Sequence, residues 1–170
     1  PTSGANANKV LIPSGHTLDA SSGSVNASGG LTTPAGHVIQ VVTGTKSSSL
    51  QTNSTSLVDT GLSVTITPQF NTSKIFISVS NLGISNNTQY VIHKLLRGST
   101  VISTDAAYNN NSYWMPVNFA MSILDSPATI SATTYKTQIR LSNASGDLRY
   151  NYFGDGTGTN ATITAMEIKQ

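Results

Sequence analysis

Residues 59–80 read Asp59-Thr60-Gly61-Leu62-Ser63-Val64-Thr65-Ile66-Thr67-Pro68-Gln69-Phe70-Asn71-Thr72-Ser73-Lys74-Ile75-Phe76-Ile77-Ser78-Val79-Ser80. Leu62, Val64 and Ile66 alternate with Ser63, Thr65 and Thr67, and Ile75, Ile77 and Val79 alternate with Phe76, Ser78 and Ser80. A period of two residues sends alternate side chains to opposite faces of an extended chain, so each run predicts a strand with one buried face. Asp59-Thr60-Gly61 supplies a tight turn before the first run, and Pro68, which lacks an N–H for a ladder, stops it before the second.

The same period extends to either side. Val117, Phe119, Met121 and Ile123 form one apolar face, and Tyr135, Thr137, Ile139 and Leu141 another, opposite Lys136, Gln138 and Arg140. Residues 38–42 and 162–168 read as strands buried on both faces. Val91, Ile92, Leu95 and Leu96 have a spacing that also suits an amphipathic helical turn, but the run is short and its flanks are β-rich, so a buried strand is favoured. Turn signals stand at Asp59-Thr60-Gly61, 68–73, Asn86-Asn87, Asp125-Ser126-Pro127, 143–147 and 154–158. About eight to ten short strands at such spacing predict an all-β fold over residues 37–170, an antiparallel β-sandwich or jelly-roll head. Composition agrees: the 170 residues include 24 Ser, 23 Thr and 15 Asn, against only 9 Lys and Arg and 7 Asp and Glu. Residues that fill helices are scarce, and those that fill strands and turns are plentiful.

Residues 1–36 differ. They carry Gly4, Gly15, Gly23, Gly29, Gly30 and Gly36 with Pro1, Pro13 and Pro34, and Leu11, Leu18, Val25 and Leu31 recur about once in seven residues. A coiled coil needs two apolar positions per heptad and few glycines, so the segment is an extended arm or a disordered linker. Its few aliphatic side chains do not offset the entropy of ordering it in a lone chain. Several copies wrapped about a common axis would let each Leu or Val meet its mates in a trimeric shaft. An internal echo favours repeated geometry: Pro13-Ser14-Gly15-His16-Thr17-Leu18 recurs as Pro34-Ala35-Gly36-His37-Val38-Ile39, with Gly23 and Gly44 in matching places.

Several function classes find no support. With no cysteine there is no disulfide, thiolate catalysis or sulfur-bound metal. There is no apolar run of about 18 residues to insert in a membrane and no secretory leader pattern. The net charge of +2 is scattered, without the stripe that follows a nucleic-acid backbone. Glycan hydrolysis needs two carboxylates about 5–9 Å apart. The available acids are Asp19, Asp59, Asp105, Asp125, Asp147, Asp155 and Glu167, and most stand in turns, where Asp caps the backbone. No Gly-x-Ser-x-Gly elbow marks a nucleophile. Gly154-Asp155-Gly156-Thr157-Gly158 lacks the following Lys-Ser/Thr of a phosphate loop and reads as a hairpin turn. No cofactor is implied.

Recognition, if present, belongs on loops. Two are rich in aromatics and amides: 108–114, with Tyr108, Asn110, Tyr113 and Trp114, and 149–155, with Arg149, Tyr150, Tyr152 and Asp155. Aromatic faces stack on sugar rings while polar side chains bond hydroxyls, making these the candidate receptor or glycan contacts. Tyr150 and Tyr152 serve equally well as core or interface residues. His16 and His37 occupy equivalent places in the echo, and in a trimer each would set three imidazoles about the axis, where a transition metal binds; the alternative is an ordinary turn histidine after Gly.

Pro34-Ala35-Gly36-His37-Val38-Ile39-Gln40-Val41-Val42, the run Ser56-Leu57-Val58 into Asp59–Pro68, and Ser73-Lys74-Ile75-Phe76-Ile77-Ser78-Val79 together resemble a module of virion appendages of tailed bacteriophages, notably those of cyanobacteria and other aquatic hosts. The upstream Pro13-Ser14-Gly15 and Leu18-Asp19-Ala20-Ser21-Ser22-Gly23 are similar to the repetitive shafts that precede such modules. The resemblance covers about a quarter of the chain and implies architecture: a homotrimeric β-rich tip or head on an N-terminal stalk that attaches to other virion proteins, with no catalytic residues. The expected role is a tail fibre or tip on the particle exterior, assembled in the host cytoplasm, that contacts a host surface glycan or protein. A capsid decoration or cement protein is the alternative, and a carbohydrate-active depolymerase a third. Pro1 would follow from removal of an initiator Met, and a small whole protein favours decoration.

Overall fold

The computed structural model describes residues 14–15, 34–152 and 159–170. Contacts divide the chain into Pro1–Thr32 and Thr33–Gln170, and among the described residues every strand lies in the second unit. These are β1 (Val38–Lys46), β2 (Leu50–Thr52), β3 (Val58–Ile66), β4 (Lys74–Ser85), β5 (Gln89–Arg97), β6 (Thr100–Asn109), β7 (Met115–Asp125), β8 (Thr133–Leu141), β9 (Leu148–Tyr150) and β10 (Ala161–Ile168). Among the described residues there is no helix, and every strand pairing is antiparallel.

Two sheets pack face to face. One runs β3-β8-β5-β6. In the other, β7 covers one edge of β4 from Ile75 to Ser85, so β10 and β9 share the opposite edge end to end, pairing with Lys74–Ser80 and Gly83–Ser85. β1 flanks β10 and β2 flanks β9 in the same way. The larger sheet therefore has four columns, β1/β2, β10/β9, β4 and β7, and the molecule is a four-over-four sandwich. The inner faces supply one core, with Leu62, Ile77, Leu95, Phe119, Tyr135, Ile139 and Ile163 all nearly inaccessible to solvent.

The alternation in 62–66, 75–79, 117–123 and 135–141 becomes β3, β4, β7 and β8 with the expected inward faces. Residues 91–96 lie in strand β5, with Val91, His93 and Leu95 inward. Three expectations need correction. Residues 38–42 are not buried on both faces: β1 is an edge strand, and Val38 and Val41 are 52% and 55% exposed. In β10 one face is buried and the other only half-buried. Asp59-Thr60-Gly61 is a bulge inside β3 and not a turn before it. The register with β8 slips between Asp59 and Ser63, Gly61 takes φ +81°, and the Thr60 hydroxyl turns inward to meet Thr137 Oγ1 at 2.6 Å. Residues 154–158 and the proposed arm or shaft lie outside the described residues, except for Ser14-Gly15. That pair forms a turn like Ala35-Gly36, with glycine φ of +86° and +87°, so the echo is one of geometry as well as letters.

Close approaches explain two glycines. A Cβ on Gly44 would stand 2.0 Å from the Ser63 carbonyl oxygen, so only glycine lets the β1 edge of one sheet touch the β3 edge of the other. A Cβ on Gly83 would stand 2.8 Å from the Arg149 carbonyl oxygen where β9 joins β4. Between β9 and β10, buried Asn151 (φ +56°) donates to the carbonyls of Lys46 and Ser48, at 2.8 and 3.2 Å, and accepts from Thr159 Oγ1 at 2.7 Å. One side chain thus ties the β1–β2 connection to the residues on either side of 152–158.

The outward face of the larger sheet has an ordered pattern. Val41, Met166, Phe76 and Leu124 are paired in register across four strands, an apolar row with Leu124 48% exposed. The next row, two residues along, is Thr43, Thr164, Ser78 and Ser122.

Candidate functional site

Strand registers place the loops 53–57, 86–88, 110–114 and 142–147 at one end of the sandwich. The chain enters and leaves at the other end, where the Gly36 N–H donates to the Lys169 carbonyl at 2.8 Å and the Lys169 N–H to the His37 carbonyl at 3.0 Å. Asparagine is frequent in the loop end for a structural reason. Asn86 Oδ1 accepts from the Asp147 N–H at 2.6 Å, Asn87 Nδ2 donates to the Ser145 carbonyl, and Asn143 Nδ2 donates to the Thr88 carbonyl. Asn109, 2% exposed, donates to the Ser85 carbonyl at 2.7 Å and accepts from the Asn111 N–H at 2.9 Å; Asn111 Oδ1 in turn accepts from the Tyr113 N–H. These bonds fix loop 110–114 from within.

The candidate contact residues separate into three groups. Tyr108, on β6, is exposed and stacks on Tyr90 of β5, with ring centroids 4.6 Å apart, on the outer face of the smaller sheet. Asn110 and Tyr113 are exposed at the loop end. Trp114 and Tyr152 converge on Arg149, from the two loops singled out in sequence. The guanidinium carbon lies 4.7 Å from the Trp114 ring centroid and 5.0 Å from that of Tyr152. Arg149 is in β9, facing outward beside Ile84 of β4 and Gln51 of β2. Its Nε is enclosed without an acceptor, and among the described residues no carboxylate pairs with it.

Tyr150 is not a contact residue: it is 1% exposed, and its ring faces the core beside His93, because odd and even positions of β9 face opposite ways. Its hydroxyl approaches Thr137 and Thr60 without hydrogen-bond geometry, and burial raises its pKa, which those two hydroxyls partly offset. Asp155 lies outside the described residues. Sequence reasoning missed Tyr90, whose signal depends on the β5–β6 register. It also missed the open groove on the outer face of the larger sheet, lined by Ser80, Leu82, Asn118, Ala120, Thr159 and Asn160.

Four of the five side-chain carboxylates among the described residues, Asp59, Asp105, Asp125 and Glu167, are held by structural partners, and Asp147 is bonded through its backbone alone. Asp125 takes both Arg97 Nη1 contacts at 2.8 Å and the Tyr135 hydroxyl at 2.7 Å, joining the two sheets; burial and this carboxylate raise the Tyr135 pKa. Hydrogen bonds from Gln138 and Lys136 keep Asp59 below the usual carboxylate range. Asp105 accepts from the Ala106 N–H. Glu167, fully enclosed in the core's rim, accepts from Gln40 Nε2 at 2.5 Å and from the Gln69 and Phe70 N–H groups. Burial pulls its pKa up, but those bonds outweigh burial and leave it lowered; Ser73 Oγ faces the same carboxylate without hydrogen-bond geometry.

Of the histidines, His16 lies outside the described residues, and exposed His37 sits with Nδ1 3.2 Å from the Pro34 carbonyl, inside its own turn. His93 is inaccessible to solvent, and burial pushes its pKa down to about 4. Among the described residues no three His, Cys, Asp or Glu side chains form a metal-sized cluster.

No protein-family model matches the sequence, and no curated protein matches it.

Proposed function

We propose that this chain is a non-enzymatic structural protein on the exterior of a tailed-phage virion, a homotrimeric fibre or tip whose N-terminal segment attaches to the particle and whose head meets the host surface. The observation that carries the reading is the strand order. With β1/β2 and β9/β10 each counted as one broken strand, the columns run first-eighth-third-sixth in one sheet and second-seventh-fourth-fifth in the other. That is the order of a jelly roll, the double Greek-key sandwich of viral capsid and lectin domains. The polarity of the head supports the role: the chain enters at one end, and Trp114 and Arg149 lie toward the other.

Self-association is supported by the apolar row of Val41, Met166, Phe76 and Leu124, an exposed band of the kind that marks protein interfaces. Further copies of this chain are its proposed occupant, because the row lies at the end where the chain enters the sandwich. The non-enzymatic part is supported by the structural use of Asp59, Asp105, Asp125 and Glu167.

The test is localisation by electron microscopy of labelled intact particles, with binding of the purified protein to host cells. Label at tail or fibre tips and competition with phage adsorption are the expected results. Label spread over the shell would replace the fibre with a decoration protein, and loss of capsular polysaccharide on incubation would refute the non-enzymatic reading. Light scattering should give three times 17.8 kDa, and a monomer at micromolar concentration refutes the trimer.

A further inference from the structure

We infer that Trp114, Arg149 and Tyr152 form a binding site for the carboxylate of an acidic sugar. The inference deepens the host-contact reading above and rests on it for the biological source of the sugar.

An arginine packed against two aromatic rings keeps the edge of its guanidinium for hydrogen bonding. Among the described residues no carboxylate meets that edge: Nε is enclosed and out of a ligand's reach, and the two terminal nitrogens, which donate to no described residue, form the open part. The planar pair of terminal nitrogens, held against the rings, matches a planar carboxylate with two parallel N–H···O bonds, and ring packing reduces the rotamer freedom that such a pair normally forfeits. The surroundings suit a sugar. Trp114 keeps 38% of its surface open, and Gln51, directly across from Arg149 on β2, is exposed with an amide free to meet hydroxyls. Ile84 forms the apolar floor on the other side of Arg149. Aromatic and apolar surface for C–H groups with a few polar contacts is the general composition of a saccharide site.

The site carries its own reporter, since Trp114 is the chain's only tryptophan. The purified full chain is titrated with a galacturonate oligomer, with a neutral galactose oligomer of equal length, and with acetate, reading Trp emission and the NMR resonances of the Arg149 terminal Nη–H groups. The galacturonate oligomer should shift both signals and bind at least tenfold more tightly than the neutral oligomer or acetate. Arg149→Gln should abolish that preference, and Arg149→Lys, which keeps the charge without the fork, should retain less than a tenth of the affinity.

Equal binding of acidic and neutral oligomers overturns the carboxylate assignment, equal binding of acetate overturns the sugar, and no shift with any ligand overturns the site. The wild-type comparison decides the matter even if the variants do not fold. Failure here alongside retained binding to host cells leaves the host-contact reading standing, whereas loss of cell binding with retained galacturonate binding removes that reading and leaves the site.

Discussion

Replacing His93 with Leu should remove most of the protein's sensitivity to mild acid. His93 is inaccessible to solvent, with its ring 4.8 Å from Phe119 and 5.8 Å from Tyr150, and neither ring nitrogen has a hydrogen-bond partner. Asp105 stands opposite on β6, but its carboxylate accepts from the Ala106 N–H and does not reach the imidazole. Burial alone holds the folded pKa at about 4, against 6.5 for an ordinary histidine. Between those values the unfolded chain binds a proton that the native protein does not. Stability is therefore full above pH 6.5 and falls as the pH drops toward 4. Linkage across that gap gives a loss of about 2 kcal/mol on going from pH 7 to pH 5, and roughly 3 kcal/mol at the acid limit. Urea unfolding followed by Trp114 emission at pH 7 and pH 5 measures the loss. The wild type should lose about 2 kcal/mol more than His93→Leu between the two, a difference of roughly 8 °C in Tm for a domain this size. His16 and His37 are present in both proteins and cancel. At pH 7 the variant should be as stable as the wild type or more so, since it exchanges unpaired polar atoms for apolar ones of similar volume. Equal losses in the two proteins would refute the argument, because they would show that the imidazole is solvated or charged in the folded state.

Gly44→Ala forces a Cβ into the Ser63 carbonyl and should lower stability by about 3 kcal/mol or prevent folding, whereas Thr43→Ala, on the exposed face next door, should shift Tm by less than about 2 °C. Asn151→Ala removes the tie to Lys46 and Ser48 together with a side chain suited to positive φ, and a loss of about 2–4 kcal/mol in urea unfolding is expected. Glu167→Gln presents an amide N–H₂ to the Gln69 and Phe70 donors and should cost about 1–3 kcal/mol at neutral pH. Because the Glu167 pKa is lowered in the fold, its contribution is present above the ordinary value of 4.5 and lost as the pH falls through the folded value, so the variant's deficit should shrink in acid.

Much of the sandwich was legible because four strands have one face in the core and one in water, and the period of two is then printed in the letters. β1 misled for the same reason in reverse. Its Val38 and Val41 are apolar yet exposed, and an edge strand that shows an apolar face reads like a buried one. The Asp59 bulge was read as a turn because Asp-Thr-Gly suits both, and what separates them is the Thr60–Thr137 contact, 77 positions apart in sequence. At the site, the residue types in the two loops suggested separate contacts, and the structure brings Trp114, Arg149 and Tyr152 of the two together. Which members meet depended on the parity of β9: Arg149 faces outward to Trp114 and Tyr152, and Tyr150 one residue later faces the core. Parity requires the register, and a three-residue strand is too short to reveal it.

The outer face of the larger sheet joins these threads. Its apolar row and its hydroxyl row are one pleat apart, so the change from Val41, Met166, Phe76 and Leu124 to Thr43, Thr164, Ser78 and Ser122 takes place within about 7 Å. The row spans all four columns, and the Val38–Ile168 pair extends the apolar surface toward the end where the chain enters. In the proposed trimer, a band so placed lets copies converge at the end where the chain enters the sandwich and leaves the opposite loops apart. On the trimer proposal, each particle then carries three Trp114–Arg149–Tyr152 clusters facing the same way. Three weak sugar contacts on one rigid body gain by effective concentration what each lacks alone, so millimolar affinity at one site is compatible with firm attachment to a repetitive glycan surface.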